Sequence, residues 1–89
     1  MTDENPSLLE FPCEFPIKMM GRDSDNFQAT ARRIVEQHAG PVGDDAIRTS
    51  PSRNGRFVSV TITIDAKSQA QLDAIYVDLS AHDDVLVAL

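Results

Sequence analysis

Two helices laid on one face of a four-stranded antiparallel sheet make the α+β fold that the sequence predicts. Three observations carry it: a strict alternation after Phe57, two stretches of helically spaced apolar residues, and a turn signal at Asn54-Gly55. In the alternation, Val58, Val60, Ile62 and Ile64 interleave with Phe57, Ser59, Thr61 and Thr63. A period of two with β-branched residues is a strand, and its small hydroxyl face points away from the core.

The elements follow in chain order. Residues 1–12 read as a partly flexible leader, because Asn5-Pro6-Ser7 breaks regular structure and Leu8-Leu9-Glu10-Phe11-Pro12 is short and closed by proline. A single domain is assigned to residues 13–89. Phe15, Ile17 and Met19 alternate ahead of Gly21 and form the first strand. Pro16 is expected where an amide lacks a ladder partner, or where the strand begins. Phe27, Ala31, Ile34, Val35 and His38 then recur on one helical face. Asp23 or Ser24 supplies the N-cap oxygen, and Gly40-Pro41 ends the helix.

The loop Val42-Gly43-Asp44-Asp45 leads into a second strand from Ala46 to Ser50. Asn54-Gly55 is the preferred centre of a two-residue type I′ turn. That turn puts Ile47 opposite Ile62 and Thr49 opposite Val60 on the core face, with Arg48 opposite Thr61 on the other. Pro51 then demands a sheet edge. Ser68-Gln69-Ala70-Gln71 is a capping box opening a second helix, whose stripe is Leu72, Ile75, Tyr76 and Leu79. The closing run Val85 to Leu89 is expected to be a strand buried on both faces. Right-handed crossovers turn this order into a ferredoxin-like sandwich with strand order 4-1-3-2. The second strand falls at an edge, as Pro51 requires.

Composition narrows the function classes. Eighty-nine residues make one domain. The longest apolar run is too short to span a bilayer, the acidic start is unlike a signal peptide, and the one cysteine excludes an internal disulfide. A cytoplasmic location is the expectation. Net charge is −6, with four acids and no bases in residues 1–17 and again in 68–89, and all eight bases between Lys18 and Lys67. An acidic total argues against nucleic-acid or membrane partners, which need a positive surface.

Three groups of residues invite a chemical reading. Cys13, His38 and His82 are the soft metal ligands, but no metal-binding spacing joins them, and both histidines suit helix C-termini. No metal and no cofactor is expected. Gly21-Arg22-Asp23 lies between the first strand and the first helix, where Arg22 could hold a carboxylate or phosphate. Acylphosphatases carry an arginine at this point, so an Arg22 hydrolase is the enzymatic alternative; the lone glycine and the acids Asp23 and Asp25 oppose it. Arg48, Arg53 and Arg56 cluster on the hairpin beside Phe57, Ser59 and Thr61, which makes an RNA-binding face the other alternative. Such a face needs several aromatic platforms, and a solvated edge that resists aggregation explains the arginines without them. No nucleophile or paired-carboxylate motif is present, so a non-enzymatic module is expected.

Leu8-Leu9-Glu10-Phe11-Pro12, Phe15 and Lys18-Met19-Met20-Gly21 resemble the opening of the YbeD family of small bacterial proteins. Ser52, Gly55, Phe57, Ser59-Val60 and Thr63-Ile64 resemble its middle block, although Arg53-Asn54 depart from the Ser-Lys of some relatives. The resemblance implies a ferredoxin-like fold similar to the ACT regulatory domains, which bind amino acids, and a lipoate-linked regulatory role. The expectation is therefore a regulatory ligand- or partner-binding module that self-associates. Its site is placed at Gly21, Arg22 and Asp23 and on the face bearing Arg48, Phe57, Ser59 and Thr61. A protein partner, lipoate or an amino acid is the expected occupant.

Overall fold

The computed structural model describes residues 10–22, 25–52 and 55–88. The N-cap candidates Asp23 and Ser24, the turn residues Arg53 and Asn54, and leader residues 1–9 lie outside the described residues. The elements are β1 (Cys13–Arg22), α1 (Asp25–Ala39), a 3₁₀ turn at Asp44–Ala46, β2 (Ile47–Pro51), β3 (Phe57–Ala66), α2 (Gln69–Ala81) and β4 (Val85–Ala88). They build one antiparallel sheet in the order β2-β3-β1-β4, the expected order read from its other edge.

Alternation decides which face is covered. Ile17, Met19, Val60, Ile62, Ile64 and Ala66 are buried beneath the helices, while Glu14, Lys18, Met20 and Arg22 are exposed on the other side. From α1 the core takes Phe27, Ala31, Ile34 and Val35, and from α2 Leu72, Ile75 and Leu79. Phe11 packs partly buried against this cluster, just ahead of β1.

The expected hairpin register holds, with Ile47 opposite Ile62, Arg48 opposite Thr61 and Thr49 opposite Val60. The turn does not. Its closing bond runs from the Gly55 amide to the Ser52 carbonyl at 3.0 Å, one residue earlier than an Asn54-Gly55 type I′ turn requires. Gly55 follows the turn at φ +75°, a left-handed conformation that glycine adopts without a Cβ penalty. The register survives because the Ser52 amide still bonds the Phe57 carbonyl at 2.7 Å, so the longer loop is closed by the same pair.

Two further expectations are corrected. Gly21 and Arg22 belong to β1 and not to a loop after it. A Cβ on Gly21 would lie 2.4 Å from Phe27 Cε1 and 2.5 Å from the Asp84 carbonyl oxygen, so the glycine is there for close packing. The last strand is not buried on both faces. It pairs with β1 alone, at Met19, Met20 and Gly21, with a register shift that leaves Leu86 without a partner across the ladder. Leu86 and Val87 are exposed. Apolar character was read as two-sided burial, whereas the strand is an edge with an apolar outer side.

The helix termini are tied by side chains. Ser68 Oγ accepts the Gln71 amide at 3.1 Å, as the capping box requires. Gln71 reaches one residue further back than expected, accepting from the Lys67 amide at 2.7 Å, and donates through Nε2 to the His38 carbonyl at 3.0 Å. His38 Nε2 lies 2.6 Å from Asp78 Oδ2, so the end of α1 is joined to α2 at two points. From within α1, Arg32 donates to Glu36, Asp44 and the Val42 carbonyl, and Glu36 accepts the Val42 amide at 2.8 Å, which ties the loop after the helix to it.

Candidate functional site

The helix-free face of the sheet brings together most of the residues singled out in the sequence. Cross-strand pairing arranges it in rows. One row runs Arg48, Thr61, Lys18, and the next runs Ser50, Ser59, Met20, Val87 across all four strands. A third pairs Phe57 with Arg22. Arg22 therefore joins Arg48, Phe57, Ser59 and Thr61 on one surface, because it occupies an outward position of β1 two residues beyond Met20. Gly21 faces the helices, and Asp23 lies outside the described residues.

The face is electrically divided. At one end Glu14, Asp45 and Asp65 line a depression of about 370 Å³ with Thr63. Arg48 leans over this end without closing an ion pair. Lys18 stands midway along β1, in the row of Arg48, and Arg22 at the other end, where Arg22, Arg56, Gly55 and Phe57 line a shallow hollow. Among the described residues, no hydrogen bond or ion pair engages the side chains of Lys18, Arg22 or Arg48. In a chain with fourteen acids and eight Lys and Arg residues, that is a local inversion of the overall charge.

Between Lys18 and Arg22 the floor is apolar. Lys18, Met19, Met20, Ser59, Thr61 and Val87 line a recess of about 160 Å³. Met20 is 39% exposed and Val87 46%, and they are cross-strand neighbours. Sequence reasoning missed Lys18 as a site residue, and with it Met20 and Val87. Their signal was the sheet order, which puts the outward side of β4 beside that of β1.

The geometry also bears on the alternatives. An acylphosphatase-like arginine has to meet an anion at the start of α1, but α1 packs Phe27 against Gly21 on the helical side while Arg22 is exposed on the opposite side. Phe57 is the one aromatic residue on the described part of the open face, short of the platforms that stack bases. Cys13, His38 and His82 do not meet; His82 Nδ1 accepts the Asp84 amide at 3.1 Å, and His38 is engaged by Asp78. Among the described residues, no three metal-ligating side chains converge.

Comparison with known proteins agrees with the fold. The family described as "Protein of unknown function (DUF493)" matches residues 6–89. UPF0250 proteins of Chromobacterium violaceum and Paraburkholderia phytofirmans are 40% and 42% identical over 89 residues, covering 100% of this chain and of each relative. The UPF0250 protein of Nitrosomonas europaea is 42% identical over the same span. The solution structure of protein HP0495 from H. pylori superposes with a TM-score of 0.74 at 18% identity, covering 98% of this chain and 91% of that one. At that identity the likeness is one of fold. No helix among the described residues is long and apolar enough to cross a membrane. The resemblance read from the opening and middle blocks is borne out: the chain belongs to the DUF493, or UPF0250, family of YbeD-like bacterial proteins.

Proposed function

We propose that the chain is a non-enzymatic regulatory module that holds an anionic, partly apolar ligand or protein partner on its open sheet face. The observation that carries this reading is the pair of cations, Lys18 and Arg22, engaged by no partner among the described residues and set on either side of an exposed apolar recess in a chain of net charge −6. A solvated cation costs nothing at a surface, but an exposed Met20–Val87 floor between two of them lowers its free energy when covered. Burial of about 100 Å² of apolar surface there contributes about 2.5 kcal/mol, before the cost of ordering the occupant.

The lipoate-linked role implied by the family resemblance suits this chemistry, since lipoate joins a carboxylate to an apolar chain. A free amino acid suits it less well. Its ammonium group would meet two cations at the recess, and the carboxylates of Glu14 and Asp65 stand at the other end of the face. The test is an amide-shift titration of the labelled chain with sodium lipoate, sodium octanoate and leucine at low salt, joined to affinity capture from native lysate. Shifts or captured partners should depend on Lys18 and Arg22. If K18E/R22E leaves every carboxylate shift and every captured partner unchanged, the reading fails.

A further inference from the structure

We infer that the occupant of this face is an acidic segment of another protein, with one large apolar side chain over Met20 and Val87 and carboxylates beside Lys18 and Arg22. The inference rests on the binding reading above and narrows its occupant. Size is the first argument. The recess of about 160 Å³ takes a single leucine- to phenylalanine-sized side chain.

Spacing is the second. Lys18, Met20 and Arg22 take alternate positions of β1, so the two cations stand about 13 Å apart along the strand with the apolar floor midway. An extended segment reading acid-x-apolar-x-acid has the same interval and sets one carboxylate against each cation. Ser59 and Thr61, beside Met20 and Lys18 on β3, add hydroxyls and no charge. Glu14 and Asp65 repel acids at the far end, which fixes where along the face such a segment lies. A second copy of the chain meets the opposite problem. A two-fold axis through Met20 would bring the Lys18 and Arg22 of each copy onto like charges.

The test is photo-crosslinking in the native cells, with p-benzoylphenylalanine replacing Met20 and, as a control, the 65% exposed Val77 on α2. The cross-linked segment is then read by mass spectrometry. The expected product from position 20 is a protein segment with acids on both sides of a large apolar residue. Its yield should fall about tenfold in the K18E/R22E background, where folding is checked by amide dispersion. A basic or neutral segment, a second copy of this chain, or equal labelling of the same segment from position 77 would overturn the inference. So would the absence of any protein adduct. Loss of the adduct alongside Lys18-dependent lipoate shifts would remove the protein partner and keep the binding face; loss of both would remove both.

Discussion

The ring of Phe27 occupies the volume that a side chain at position 21 would need, with a Cβ on Gly21 falling 2.4 Å from Phe27 Cε1. The backbone oxygen of Asp84 lies 2.5 Å from the same point, so relief on one side does not relieve the other. This contact joins β1 to the first turn of α1 and to the chain just before β4. It also explains why a glycine that looks like a loop signal stands inside a strand.

Gly21→Ala should therefore destabilise the fold by about 1–3 kcal/mol through overpacking. Urea denaturation checks it, with Phe27→Leu and the double variant completing the cycle. The double variant should lose less than the sum of the single changes, because the smaller residue frees part of the volume. Simple additivity would show that the Phe27 ring is not what excludes the methyl group.

Capping of α2 is a second point where one side chain serves two elements. Gln71 accepts from Lys67 at the start of α2 and donates to the His38 carbonyl at the end of α1. Ser68→Ala should cost about 1 kcal/mol, the usual value of an N-cap. Gln71→Glu keeps the acceptor but sets a carboxylate against the His38 carbonyl, so it should weaken the α1–α2 contact while leaving the cap in place. Hydrogen exchange separates the two: amides near His38 should lose protection in Q71E and those of Ala70 to Leu72 in S68A. Identical exchange profiles would contradict this division.

Most of the fold was legible because each element carries a local signal that agrees with its neighbours. The β2–β3 register could be read from Ile47 and Ile62, since a slip by one residue would have turned the isoleucine row to solvent. The turn was misread because Asn-Gly is equally at home in a longer loop with a left-handed glycine, and both loops preserve the pairing. The candidate face was legible in part. Arg48, Phe57, Ser59 and Thr61 follow from alternation on β3 and its partner, whereas Met20 and Val87 meet only through a pairing 67 residues apart in sequence. Nothing local marks such a contact. Arg22 was assigned to a loop because its strand continues past Gly21, a residue that ordinarily ends one.

Acid sensitivity should concentrate at the end of α1. The Val42 amide bonded to Glu36 holds that carboxyl below its ordinary range, and the Arg32 guanidinium adds to the effect. Because the folded value is lower than the unfolded one, the stabilisation is present above the ordinary carboxylate range, about 4.3. It is lost as pH falls through the depressed folded value. Urea midpoints of the wild type and Glu36→Gln should therefore differ most at pH 7 and converge as the pH is lowered toward 3. A gap that is constant with pH would show that Glu36 acts only through shape.

The β2 edge is protected by its own sequence, and this yields the last prediction. Ser52 and Phe57 form a bonded pair, shown by the amide of one on the carbonyl of the other at 2.7 Å. Bonded and non-bonded pairs alternate along an antiparallel ladder, so Ser50 and Arg48 also bond inward while Ile47, Thr49 and Pro51 turn their backbone groups to the open edge. The Ile47 amide is already taken by the Asp44 carbonyl of the 3₁₀ turn, and Pro51 has no amide to offer. Thr49 is left with the single free donor on this edge, too little to template another strand. Pro51→Val restores an outward donor beside a β-branched side chain without touching the inward bonds. Sedimentation velocity should then show concentration-dependent association stronger than that of the wild type at the same concentration and salt. If P51V sediments as the wild type does, the proline is not what keeps β2 from pairing, and the exposed Arg48 beside it becomes the residue to reverse.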